Sequence, residues 1–174
     1  MTTILIIVIA GVLLYIINTK GDKNIPSSTS TTPKDLRNVP ECLSRKYSIS
    51  GITHHCRAED IGIVYGYIYN EPNNHYDPNA VAIIHDNGKK LGYIRKIDLE
   101  DYRNFAGQSS QLPFVGFIEV FENDNGYMTL YGKIKTYQGQ PDKVAETMHE
   151  DKDYLMDIFQ IVDHEERIQA LRFF

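Results

Sequence analysis

The stretch from Ala80 to Ile94, "AVAIIHDNGKKLGYI", limits the fold of this chain more than any other segment. Apolar residues with many β-branched members flank Asn87-Gly88, a pair suited to the two positive-φ positions of a tight type I′ turn, so the segment reads as a β-hairpin. Other runs have the same character. Ile63 to Tyr69 reads "IVYGYIY", Tyr47 to Ile52 alternates weakly, and "FVGFIEVFENDNGYMTLYGKIK" predicts a second hairpin turning near Asn125-Gly126. In the later strand of that hairpin, period-two alternation puts Met128, Leu130 and Ile134 on a core face. It leaves Thr129, Tyr131, Lys133 and Lys135 on a face expected to be wet. Between the hairpins, Ile97, Leu99, Tyr102 and Phe105 recur among charges over Ile97 to Ala106, which predicts a short amphipathic helix across one end of the sheet. Short antiparallel strands with a lid helix indicate a mainly β, α+β fold built as a small barrel or rolled sheet.

The 174 residues suffice for one domain with tails. Charge is unevenly spread: residues 45–138 carry 10 Lys and Arg against 11 Asp and Glu, whereas residues 139–174 carry 4 against 9. The net charge of -5 therefore resides in the carboxyl-terminal part, and the near-neutral middle neither favours nor excludes phosphate binding. Two cysteines, Cys42 and Cys56, are too few for a disulfide framework, leave one bridge open, and fit no zinc spacing. The run His54-His55-Cys56 invites a metal reading, but neighbours on a strand point to opposite faces and do not converge on one ion. No metal or cofactor is expected.

Ile4 to Ile17, "ILIIVIAGVLLYII", has no charge, and none occurs before Lys20. At about 1.5 Å per residue, residues 1–19 match a hydrocarbon layer of about 30 Å, so they read as a transmembrane anchor. A cleaved secretory signal needs a basic start and a small-residue cleavage site, and neither is written here. Lys20 and Lys23 follow the apolar run, which orients the rest of the chain toward the cytoplasm as a single-pass membrane protein. Residues 20–46, with "NIPSSTSTTPKD", read as a flexible linker, 47–138 as the barrel domain, and 139–174 as an acidic helical tail. Leu155, Ile158, Phe159, Val162, Ile168 and Leu171 form the apolar stripe of that tail, which suits packing on the barrel or, alternatively, a protein partner.

Glu71 to Arg95, "EPNNHYDPNAVAIIHDNGKKLGYIR", resembles the HIRAN family, whose signature is an acidic-Pro-Asn turn, then Tyr-Asp-x-Asn-Ala entering a strand, then Gly-Tyr-Ile. Glu71, Pro72, Asn74, Tyr76, Asp77, Asn79, Ala80, Gly92 and Tyr93 stand where that pattern asks, and the similarity runs from about Ser48 to Tyr137. The resemblance implies a small six-stranded antiparallel β-barrel with short helices. It also implies nucleic-acid binding, with single-stranded DNA and its 3′ ends favoured.

Carried over by position, it implies that Asn74, Tyr76 and Asp77 wall a pocket, with Asp77 accepting a hydrogen bond from a terminal sugar hydroxyl. Tyr93 and Lys96 would stand on the neighbouring strand end. Cations would meet phosphate and aromatic faces would stack on bases. Where end-binding members place a basic residue and two aromatics, this chain has Thr53, His54 and His55, with Arg57 two positions later. Neutral imidazole is a poorer cation than guanidinium. Each loop residue also has a structural reading, since Asn74 and Asp77 are common turn formers. Tyr65, Tyr67 and Tyr69, on alternate positions of one strand, read as packing rather than a stacking platform.

Helicase-like ATPases fused to family members are not written here, because no G-x-x-x-x-G-K-[ST] occurs, nor do G-x-S-x-G or H-E-x-x-H. The expectation is a binding module rather than an enzyme. The competing reading is a membrane-anchored adaptor that recruits a partner through the barrel and the carboxyl-terminal helix.

Overall fold

Apolar side chains at every second position of the strands meet inside a closed barrel. A computed structural model describes residues 40–122 and 125–174. The expected anchor and the expected linker up to residue 39 lie outside the described residues. Among those described, no helix is long and apolar enough to cross a membrane. The strands are β1 (Cys42–Ser50), β2 (Gly62–Asn70), β3 (Val81–His85), β4 (Lys90–Ile94), β5 (Gln111–Glu122) and β6 (Met128–Gly139). They pair antiparallel in the order β1-β4-β3-β2-β5-β6, and β6 returns to β1. Closure satisfies the edge groups that an open sheet of these strands would expose. Among the described residues, four helices accompany them: α1 (Ile52–His55), α2 (Leu99–Ala106), α3 (Pro141–Phe159) and α4 (His164–Leu171).

Ile68, Val81, Ile83, Leu91, Phe114 and Ile134 fill the barrel, and α2 closes one end with Leu99, Tyr102 and Ala106. Tyr102 lies edge-on to Tyr47 at 5.8 Å, and the Tyr47 hydroxyl donates to Asp101 at 2.8 Å. Burial pushes the Tyr102 hydroxyl up to about 12. The expected lid helix is therefore present. Its first turn is shorter than expected, because Ile97 sits in a 3-10 turn ahead of α2 and points outward.

Four sequence expectations need correction. β1 begins at Cys42, inside the segment assigned to the linker, because Cys42 to Ser48 pair with Gly139 to Lys133 of β6, a long-range partner that local composition does not reveal. In the β3–β4 hairpin, the Gly88 amide donates to the His85 carbonyl at 2.9 Å and the His85 amide to the Lys89 carbonyl at 2.8 Å. Asp86-Asn87 are thus the central pair and Gly88, at φ +87°, follows them. This is the geometry of a type I turn with a bulge rather than type I′, and the ladder shifts register between Ile83 and Ile84.

The third correction concerns the wet face of β6. The outer faces of β5 and β6 carry Val115, Phe117 and Tyr137, which are buried under Leu155 and Ile158 of α3, Leu171 of α4, and Phe174. Each fully buried side chain of this size contributes about 1.5–3 kcal/mol, so the helical layer is a second core rather than an appendage. Fourth, the tail stripe is broken: Val162 lies between α3 and α4 and is 95% exposed. Asp163 caps α4 there, its Oδ1 accepting the Glu166 amide at 2.8 Å.

Polar contacts fasten this layer. Buried Glu119 accepts from Arg167 Nε at 2.7 Å, and Asp151 pairs with Lys135 at 2.7 Å while accepting from the Tyr137 hydroxyl at 2.7 Å.

Candidate nucleic-acid interface

The loop from Glu71 to Ala80 joins β2 to β3, and its own polar groups shape it. The Glu71 amide donates to the Ala80 carbonyl at 2.9 Å, and the Ala80 amide to the Asp77 carbonyl at 2.9 Å. Asn74 Oδ1 accepts the Tyr76 and Asp77 amides at 3.0 and 3.1 Å, and Asp77 Oδ1 accepts the Asn79 amide at 2.8 Å. Such side-chain turns hold Asn and Asp in place. Asn74 is accordingly a structural residue on both ends of its amide, whereas Asp77 keeps Oδ2 uncommitted among the described residues.

A polar cluster supports the loop from below. Lys90 Nζ donates to Glu71 Oε1 at 2.7 Å and to the Tyr93 hydroxyl at 2.8 Å. Asn74 Nδ2 donates to Glu71 Oε2 at 2.7 Å and to the Tyr93 hydroxyl at 3.2 Å. The hydrogen bond from Lys90 is the main cause holding the Glu71 carboxyl below its usual range. Burial pulls the Lys90 ammonium down, but the bonds with Glu71 and Tyr93 outweigh it and leave its pKa raised.

The facing wall comes from β1 and β4. Gly92 has φ +150°, and a Cβ there would stand 2.6 Å from Ile49 Cγ2 and collide with the Ser50 carbonyl. Only glycine lets the two strands come this close. Ser50 then lies opposite Tyr93. Lys96, in the turn before α2, is exposed and has no acidic partner among the described residues. Arg103 of α2 reaches back to the loop, donating to the Asn79 carbonyl at 3.0 Å.

Between these walls lies a notch of about 260 Å³, into which Asn74, Tyr76, Asp77, Tyr93 and Lys96 all face. A hollow of about 510 Å³ adjoins it, shared by Tyr76, Asp77 and Lys96 and bounded beyond them by Glu100 and Arg103. The Tyr76 ring is 94% exposed, so its face is free to meet a flat ligand. An aromatic face, a carboxylate oxygen and two cations at one rim can stack a ring, accept from a hydroxyl and contact a phosphate.

The remaining expected site residues lie elsewhere. Thr53 and His54 are exposed on α1 and do not line the notch. His55 supports it from behind, edge-on to Tyr93 at 5.7 Å. Burial, with Lys90 and then His54, lowers its pKa. Arg57 is committed to backbone: its guanidinium donates to the carbonyls of Cys56 at 2.8 Å and Thr53 at 3.3 Å.

His54 and His55 lie on a helical turn rather than the expected strand. Gly51, at φ +71°, turns the chain into helix α1, and Cys56 Sγ faces the Leu91 carbonyl in the core. Both cysteines are free thiols, and among the described residues no group of three or more His, Cys, Asp and Glu is arranged to hold a metal. Of the tyrosine stripe, Tyr65 is covered by Lys152 of α3 at 4.2 Å, while Tyr67 and Tyr69 are exposed.

One residue of the notch, Ser50, and one of the adjoining hollow, Arg103, escaped sequence reasoning. Ser50 is brought in by its long-range pairing with Tyr93. Arg103 stands four residues after Leu99 on the lid helix, a spacing that shares one helix face and was readable.

The class defined by this fold and site is a small closed β-barrel with a notch at its rim, edged by the Asp77 carboxylate and the Lys96 ammonium. In structure the chain is similar to the HIRAN domain of human HLTF, with 16% identity, 63% of this chain and 86% of that one covered, and a TM-score of 0.33. It is also similar to a protein from Lactobacillus plantarum, with 17% identity, 55% and 96% covered, and a TM-score of 0.32. No family model matches the sequence, and no curated protein matches it.

Proposed function

We propose that this chain is a HIRAN-type module that binds nucleic acid. Its rim notch takes the 3′ end of a single strand, DNA before RNA, and its amino-terminal segment holds it at the cytoplasmic face of a membrane. One observation carries the reading: four residues of the motif, Asn74, Tyr76, Asp77 and Tyr93, line one notch together with Lys96 from the turn before α2. Asp77 Oδ2 accepts from a free terminal hydroxyl and repels a terminal phosphate, Lys96 and Arg103 meet phosphates, and Tyr76 stacks on a base. The acidic helices α3 and α4 contribute no residue to the notch lining. Their apolar stripe is spent on the barrel wall, which weakens the adaptor alternative. The lining offers binding chemistry, and we assign it no turnover.

Fluorescence anisotropy with short labelled single strands, ending in a 3′ hydroxyl or a 3′ phosphate, tests the site. The hydroxyl end should bind more tightly, and Asp77→Ala should abolish the preference. Equal binding of both ends by the unaltered chain would remove end recognition, and binding insensitive to salt would remove the phosphate contacts. For the tether, deleting residues 1–19 should release the chain from an alkali-washed membrane fraction.

A further inference from the structure

β1 connects the notch to a second groove. Its outward residues Ser48 and Ser50 alternate with buried Tyr47 and Ile49. Ser50 lines the notch, and Ser48 lies opposite Lys133 of β6, its hydroxyl 3.0 Å from that of Tyr131. Tyr131 and Lys133 open in turn onto a groove of about 580 Å³ between β6 and the end of α4, whose lining includes Phe121, Leu130 and Arg172.

The cations of this groove are unspent. Lys90 and Lys135, half-buried like Lys133, each pair with a carboxylate at 2.7 Å. Lys133 and Arg172 have no carboxylate partner among the described residues. Burial lowers the Lys133 pKa, the mark of an ammonium desolvated without a counter-charge. An incoming anion would relieve that cost. Glu122 is the acid in the lining, exposed at the hairpin end of the groove. Cations set beside apolar and aromatic walls suit a chain of phosphates carrying flat rings, rather than a lone anion.

We propose that the groove continues the nucleic-acid path: a single strand whose end sits in the notch crosses β1 at Ser48 and lays its next phosphates on Lys133 and Arg172. This rests on the nucleic-acid reading of the notch. From Ser50 to Lys133 the path is one strand repeat along β1 and one strand spacing across, about 8 Å. A stacked single strand covers that in roughly two to three nucleotides at about 3.4 Å each. A dinucleotide therefore fills the notch alone, and an oligomer of about five nucleotides reaches both.

The test is a length series on the full chain, titrating thymidine oligomers of about 2 to 10 nucleotides by calorimetry. Affinity should climb about tenfold up to roughly five nucleotides and then level off. Lys133→Gln, which keeps the stem and removes the charge, should abolish the climb and leave dinucleotide affinity unchanged. Its salt slope should fall by about 0.7 for long oligomers and not for short ones. Arg172→Gln should act in the same direction with a smaller loss. Affinity independent of length, or a Lys133→Gln loss equal for dinucleotide and long oligomer, would overturn the groove while leaving the notch. No binding at any length would overturn both.

Discussion

The same three groups recur at the rim and on the wall of the barrel, in different surroundings. At the rim Lys90 donates to Glu71 at 2.7 Å and to the Tyr93 hydroxyl at 2.8 Å, with its ammonium 4.9 Å from the Tyr93 ring centre. On the wall Lys135 pairs with Asp151 at 2.7 Å, Tyr137 donates to the same carboxylate at 2.7 Å, and the ammonium stands 5.7 Å from the Tyr137 ring centre. There Tyr137 is fully buried beneath α3 while Lys135 and Asp151 stay partly exposed at its edge, and burial followed by the Asp151 bond pushes the Tyr137 hydroxyl far up. The rim set stays half-exposed, and Asn74 joins it from the notch loop. Identical chemistry thus fastens a helix in one place and positions a binding loop in the other. Access of water decides which.

If that contrast holds, Asp151→Ala has the largest effect, because it leaves an ammonium and a phenol without their partner under α3. A loss of about 3 kcal/mol is expected from the urea midpoint. The rim counterpart Glu71→Ala should cost about 1 kcal/mol, since water replaces the lost partner there. An equal cost for the two variants would break the comparison. Glu71→Ala should nonetheless weaken single-strand binding by roughly tenfold, the value of about one lost hydrogen bond at the loop it positions. Asp151→Ala should leave the affinity of the folded fraction alone.

Acid sharpens the contrast further. The Glu71 carboxyl is held low in the folded chain, so the unfolded chain binds its proton first and stability falls with pH. This contribution is complete above the ordinary value of 4.5 and is lost as pH drops through the lowered one. Amide exchange of residues 71–80 should rise over that range, and Glu71→Gln should remove the dependence. The smallest effect is that of His55, whose charged form the fold disfavours through burial and the nearby Lys90. Stability should slip slightly as pH falls below its ordinary 6.5, and His55→Gln should flatten the thermal midpoint there.

The notch was legible because its main residues are crowded into one motif, and the turn from Glu71 to Ala80 is closed by local bonds that spacing predicts. The helical layer was not. Lys133 and Lys135 alternate with core residues as a solvated face would, and only the distant stripe of Leu155, Ile158 and Leu171 covers the Tyr137 between them and the strand end. His54 and His55 were misplaced because the left-handed Gly51 ends β1 and starts a helical turn within one residue. Arg57 looked available as a cation, but nothing in its neighbours announces that two backbone carbonyls take it up.

β1 meets β6 over seven residue pairs and β4 over only two, Ile49 with Ile94 and Ser50 with Tyr93. The cylinder therefore has a seam, and its short side ends where Ser50 and Tyr93 border the notch. Heat or mechanical load should part the molecule along that line first, so an occupant lodged across it would act as a clasp. Protection of the Ile94 amide would then register occupancy before any change elsewhere in the sheet.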